Sequence, residues 1–166
     1  NTHHLKNKKG LILGMRKILF VCLGNICRSP LAEGIALHLV KEQGIKNIVI
    51  DSAGTANYHV NEAPDHRTTS NALKHGIDLS SLLARQFKKG DFDAFDEIYV
   101  MDENNLKNAL KLAETNSHKE KLKLLLSIGD FGRLDVPDPY YGTENDFEKV
   151  FQLVYKAIKE LINVKN

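Results

Sequence analysis

Apolar residues fall along this chain in two rhythms. Lys17-Ile18-Leu19-Phe20-Val21, Asn47-Ile48-Val49-Ile50-Asp51 and Glu97-Ile98-Tyr99-Val100-Met101 are short runs of strand formers without polar alternation. Such runs read as strands buried on both faces. Leu122 to Leu126 reads as a fourth strand, interrupted by Lys123. Between the runs the spacing becomes helical. Leu31, Ile35 and Leu39 form a stripe that ends before Gly44. A helix is expected from Asp65 to about His75, stopped by Gly76, and another from Asp102 to about Glu114. The last helix opens at Thr143 with Asp146 three residues on, a capping-box spacing, and carries the stripe Phe147, Val150, Phe151, Val154, Ile158, Leu161 and Ile162. Residues 53–65 and Gly129 to Gly142 read as loops. Strands alternating with helices predict an α/β fold: a single-domain, doubly wound sandwich with a central four-stranded parallel sheet and helices on both faces.

Length and charge narrow the picture. The 166 residues suit one domain. The formal net charge of +2 comes from Lys6, Lys8 and Lys9; from Met15 onward twenty basic residues face twenty-one acidic ones. No strong basic field is therefore available for nucleic acid. Residues 1–14 read as an expression remnant or a disordered extension, and 15–166 as the domain. No run approaches the ~20 apolar residues of a membrane span. The two cysteines, Cys22 and Cys27, are too few for a disulfide framework and lack the companion ligands of a zinc site. A reactive thiol in a reducing cytoplasm fits better, with no metal and no cofactor.

The candidate chemistry lies in Val21-Cys22-Leu23-Gly24-Asn25-Ile26-Cys27-Arg28-Ser29-Pro30. Taken alone, a cysteine closing a buried strand is a packing residue. Here five residues separate it from an Arg-Ser pair that opens a helix, with Ser29 read as N-cap and Pro30 as the first helical residue. So tight a turn can direct backbone N–H groups from Leu23 to Arg28 toward one point, where the helix start adds its own donors. Arg28 contributes a planar fork for two oxygens of a phosphate or sulfate. The same field favours the Cys22 thiolate. A thiolate beneath a bound phosphate is a nucleophile aimed at phosphorus, and the reaction would pass through a cysteinyl phosphate.

These residues resemble the low-molecular-weight protein tyrosine phosphatases. The likeness runs from about Lys17 to Ile162 and includes Cys-Leu-Gly-Asn-Ile-Cys-Arg-Ser-Pro (22–30), Asp-Ser-Ala-Gly-Thr (51–55), His-Gly-Ile (75–77), Ala-Arg-Gln (84–86), Met-Asp-Glu-Asn-Asn-Leu (101–106) and Asp-Pro-Tyr-Tyr-Gly (138–142). It implies hydrolysis of phosphotyrosine in proteins, and of aryl phosphates, by a monomer or weak dimer. By the resemblance Asp138 is the general acid and base, a role worth roughly 10²–10⁴-fold in rate. Ser29 would hydrogen-bond the thiolate. Asn25 would hold the loop in a left-handed turn, supported by Ser52 and His75. Tyr58, Tyr140 and Tyr141 would wall the phenyl ring, and Cys27 would form a reversible disulfide with Cys22.

Related activities of the same fold remain as alternatives. Arsenate reductases need cysteines further downstream, and none follows Cys27. Arginine phosphatases of the superfamily carry threonine where Ile26 stands. A silent phosphotyrosine-binding module would be expected to lack Cys22 or Asp138, and both are present.

Overall fold

The computed structural model describes residues 4–6 and 12–164. Ahead of the domain, β1 (His4–Lys6) pairs antiparallel with β2 (Ile12–Gly14). The domain follows as β3 (Arg16–Cys22), α1 (Arg28–Glu42), β4 (Ile48–Gly54), α2 (His66–Lys74), α3 (Asp91–Ala94), β5 (Glu97–Val100), α4 (Glu103–Leu110), α5 (Asn116–Lys121) and β6 (Leu122–Leu124). A 3₁₀ turn (Leu125–Ile128) and the long helix α6 (Glu144–Val164) complete it.

The four domain strands form one parallel sheet in the order β4-β3-β5-β6. Side chains alternate across it, as strand geometry requires. Ile18, Phe20, Cys22, Tyr99 and Met101 face one layer, where they meet Leu31, Ile35 and Leu39 of α1 and Val154 and Ile158 of α6. Leu19, Val21, Ile98 and Val100 face the other, against Phe92 of α3 and Ala109 of α4. Both faces are thus buried, which explains the unalternating apolar runs. At about 25 cal/mol per Å² of apolar surface, these two layers are the main source of stability. The chain leaves β3 first toward β4 and later returns to place β5 on its other side. The carboxyl end of β3 is therefore the topological switch point, where such sheets bind ligands.

Several boundaries differ from the sequence-based expectation. β4 continues through Ser52, Ala53 and Gly54, paired in register with Phe20, Val21 and Cys22. α4 ends at Leu110, because the amides of Leu112 and Ala113 bond three residues back and tighten the chain into a turn. β6 stops at Leu124, whose carbonyl accepts the Ser127 hydroxyl at 2.7 Å as the chain turns into the 3₁₀ segment. α3 and α5 were not expected; at four and six residues neither is long enough to show a helical period. The Thr143–Asp146 cap is present, with Asp146 Oδ2 accepting the Thr143 N–H at 2.7 Å.

Candidate active site

The strand-to-helix loop departs from the expected cap. The N-cap of α1 is Cys27, not Ser29. α1 begins one residue earlier than the serine, so Ser29 lies within the first helical turn and its side chain points inward rather than along the helix axis. Its Oγ lies 2.9 Å from Cys22 Sγ. The Asn25 N–H also donates to that sulfur, at 3.3 Å. Asn25 adopts φ 59°, the left-handed conformation for which asparagine is among the more tolerant residues.

Hydrogen-bond accounting orients this cluster. Asn25 Nδ2 donates one proton to Ser29 Oγ at 2.8 Å and the other to Ser52 Oγ at 2.9 Å. Asn25 Oδ1 accepts the Arg85 N–H at 3.0 Å. The amide is therefore fully committed, which settles which end is oxygen. Ser29 Oγ accepts from Asn25, and its own single proton has two acceptors within reach, Cys22 Sγ at 2.9 Å and the Ala53 carbonyl at 3.3 Å. A donor to the charged form stabilises a thiolate. Gly54 makes room for the loop: a Cβ there would lie 2.8 Å from the Leu23 carbonyl oxygen and 2.9 Å from the Asn25 nitrogen.

Arg28 is 2% exposed. Its Nη1 donates to Asp102 Oδ2 at 2.6 Å and to the Val136 carbonyl at 2.9 Å, so both protons of that nitrogen are taken. The opposite edge of the guanidinium stays available to an oxyanion. Burial disfavours the charge, but Cys22, Asp102 and Asp138 together outweigh it and hold the pKa above the ordinary guanidinium value. Asp102 caps α4 with its other oxygen, accepting the Asn105 N–H at 2.8 Å. Val136 is tied to the end of β5 by its N–H to the Met101 carbonyl, at 2.8 Å. That bond anchors the stretch leading to Asp138, whose Oδ2 lies 3.6 Å from Arg28 Nη2.

Cys22, Arg28 and Asp138 line one cavity of about 270 Å³, together with Leu23, Gly24, Ile26, Cys27, Tyr58, His59, Tyr140 and Tyr141. Tyr140 and Tyr141 meet edge to face at 4.9 Å. Arg67 braces this wall: its guanidinium lies 5.4 Å from the Tyr140 ring and 4.6 Å from that of Phe147. Asp65 holds Arg67 in turn, at 2.9 Å. Burial pushes the Cys27 thiol up to about 12, despite a hydrogen bond with Thr68 that works the other way.

The structure thus brings together every expected site residue except His75. That side chain bonds Glu148 at 2.8 Å and stacks on Phe151 of α6 at 3.9 Å, so it props α2 against α6 instead of supporting Asn25. The Asn25 support comes from Ser52 and the Arg85 amide. Sequence reasoning missed Asp102 as the anchor of Arg28, Arg85, and Glu33, whose Oε1 accepts the Ser52 hydroxyl at 2.6 Å. A charged residue four positions after Ser29 on an otherwise apolar helix face was the available signal for Glu33.

Fold and site together define a phosphatase of the parallel α/β class. The family model described as low molecular weight phosphotyrosine protein phosphatase matches residues 17–165. The human protein of that description is 45% identical over 149 residues, which cover 89% of this chain and 94% of the human one. Among solved structures, a protein tyrosine phosphatase from Entamoeba histolytica with Hepes in the active site superposes with a TM-score of 0.84 at 33% identity, covering 89% of this chain and 95% of that one. A Drosophila arginine phosphatase has the same TM-score at 32% identity, covering 90% and 98%. The chain belongs to the low-molecular-weight phosphotyrosine protein phosphatase family, and it is a protein-tyrosine phosphatase. Among the described residues no helix is long and apolar enough to cross a membrane.

Proposed function

We propose that the enzyme hydrolyses phosphotyrosine in proteins in two displacements at phosphorus, with Cys22 as nucleophile. The observation that carries this is the convergence of Cys22, Arg28 and Asp138 on one cavity walled by Tyr58, Tyr140 and Tyr141. The free edge of Arg28 and the amides of residues 23–28 hold the non-bridging oxygens. The Cys22 thiolate attacks phosphorus, the bond to the phenolic oxygen breaks, and Asp138 gives that oxygen its proton. Asp138, now a carboxylate, takes a proton from water. The water oxygen attacks phosphorus, the S–P bond breaks, and inorganic phosphate leaves. No step calls for a metal or cofactor.

Three tyrosines at the mouth suit an aryl ester. They separate this reading from that of the arginine phosphatase, to which Ile26 also runs counter. Cys27, a free thiol held neutral by burial, is the candidate partner of Cys22 under oxidation. Peroxide would convert the Cys22 thiolate to a sulfenic acid; the Cys27 sulfur would then attack it, releasing water and leaving a disulfide. Such a site suits the reducing cytoplasm, where thiols are regenerated.

The test is a pair of substrates and a trapped intermediate. Phosphotyrosine peptide should be turned over far faster than phosphoarginine peptide. Rapid acid quench should leave one phosphate on Cys22, located by mass spectrometry. Preference for phosphoarginine, or a phosphoenzyme on another residue, would overturn the assignment.

A further inference from the structure

Glu33 is a buried acid that the reaction above does not use. It lies on α1 one turn beyond Ser29, 8% exposed. Its Oε1 accepts the Ser52 hydroxyl at 2.6 Å, a distance typical of a hydroxyl bonded to a carboxylate. Ser52 Oγ accepts from Asn25 Nδ2 at 2.9 Å, Asn25 Nδ2 donates to Ser29 Oγ at 2.8 Å, and Ser29 Oγ meets Cys22 Sγ at 2.9 Å. The chain of bonds is continuous from the carboxylate to the nucleophile, and all five residues are buried.

On the basis of the proposed cysteine mechanism, we infer that Glu33 is a positioning residue of the phosphatase site, which anchors the Ser52–Asn25–Ser29 chain behind Cys22 and takes up a proton when an oxyanion enters the cradle. The first half follows from direction. Asn25 fills one acceptor position on Ser52, so the Ser52 proton needs an outlet, and Glu33 provides it. The second half follows from charge. A dianion arriving in front of the cradle opposes a carboxylate behind it, so binding the dianion must favour the protonated carboxyl.

The surroundings put that proton within reach of neutral pH. Burial raises Glu33 to about 7; the Ser52 hydroxyl pulls it down, Asp51 on β4 pushes it up, and Arg85 pulls it down. Arg85 is shared with Asp51 at 3.0 Å and Asp91 at 3.0 Å, which tempers its effect on Glu33. On the side of α1 beside Gly34 the neighbours are the apolar Ile77 and Leu79, which bring no charge.

Sulfate is the probe, because it stays a dianion throughout the range and adds no titration of its own. Its competitive inhibition constant against p-nitrophenyl phosphate is measured from pH 5.5 to 8.5 for the wild type, Glu33→Gln and Glu33→Ala. In the wild type sulfate affinity should fall roughly three- to tenfold as pH rises through about 7, the size expected for two charges coupled across a protein interior. Glu33→Gln keeps an acceptor for Ser52 and should lose that limb, with a smaller loss of kcat than Glu33→Ala. Glu33→Ala removes the acceptor and should lower kcat roughly tenfold at every pH, with KM little changed. Identical pH dependence in the wild type and Glu33→Gln would overturn the inference even if Glu33→Ala fails to fold. Absence of wild-type turnover would instead count against the cysteine mechanism itself.

Discussion

Asp102 Oδ2 holds Arg28 Nη1 at 2.6 Å while Asp102 Oδ1 accepts the Asn105 N–H in the first turn of α4 at 2.8 Å. One carboxylate therefore fastens the Arg28 guanidinium and starts a helix. Asp102→Ala should lower kcat/KM about thirtyfold, the equivalent of roughly 2 kcal/mol for a charge-assisted bond, and should also lower the melting temperature through loss of the cap. Asp102→Ser restores a capping oxygen without reaching Arg28. It should recover the melting temperature but not the activity, as steady-state kinetics and calorimetry will read. Parallel recovery of both would place the effect of Asp102 in folding alone.

Cys22→Ser should abolish turnover and retain sulfate binding, because a serine hydroxyl can replace sulfur as acceptor of the Asn25 N–H while Arg28 stays fixed by Asp102 and Val136. Calorimetric titration and an assay with p-nitrophenyl phosphate measure the two properties separately. An active Cys22→Ser enzyme would refute nucleophilic catalysis by this residue.

Asp138 stands 3.6 Å from Arg28 Nη2 with a side chain 43% exposed, and it lines the same cavity as Cys22. Asp138→Asn should slow phosphoenzyme formation most for esters of weakly acidic phenols, since those leave only when protonated. A series of substituted aryl phosphates should show a steeper dependence on leaving-group pKa in the variant. Equal slowing across the series would show that Asp138 is not the proton donor.

Gly54→Ala would drive a Cβ against backbone atoms of Leu23, Gly24 and Asn25, none of which can rotate away. The loop must shift or the strand must yield, at a cost of about 1–3 kcal/mol. Urea unfolding should show the loss of stability, and kcat/KM should fall with it. Full activity and stability would show that the loop has slack.

Glu148 is lowered to about 2 by its bond from His75, with Gln152 and Asn71 as further donors. A carboxylate with a depressed folded-state pKa contributes stability that is complete above its unfolded value near 4.5 and is lost as pH falls toward about 2. His75→Ala should therefore flatten the loss of stability between pH 4.5 and 2 and bring the Glu148 carboxyl carbon titration, followed by NMR, back toward 4.5. An unmoved titration would assign the effect to Gln152 and Asn71.

The paired histidine illustrates how local pattern can mislead. His75 stands at the end of α2, where its neighbours in sequence say nothing of α6; the stacking partner Phe151 and the acceptor Glu148 lie more than seventy residues on. Resemblance assigned it to the phosphate loop, and packing assigned it to a helix pair. Asp102 shows the converse. Its position at a strand end was legible, but its bond to Arg28 spans seventy-four residues and exists only because β3 and β5 are neighbours.

From the order of residues alone came the parallel sheet, since unalternating apolar runs can be satisfied only by burial on both faces, and the Cys22-to-Arg28 loop, since six peptide units between a strand and a helix leave few paths. Tertiary structure decided what orients those groups. Ser29 turned from a cap into a hydroxyl beside sulfur, Asn25 acquired partners on both ends of its amide, and Arg28 was given one fixed edge and one free edge. The physical reason is that the direction of a hydrogen bond depends on which strands lie side by side, a relation between distant segments that no local pattern of residues contains.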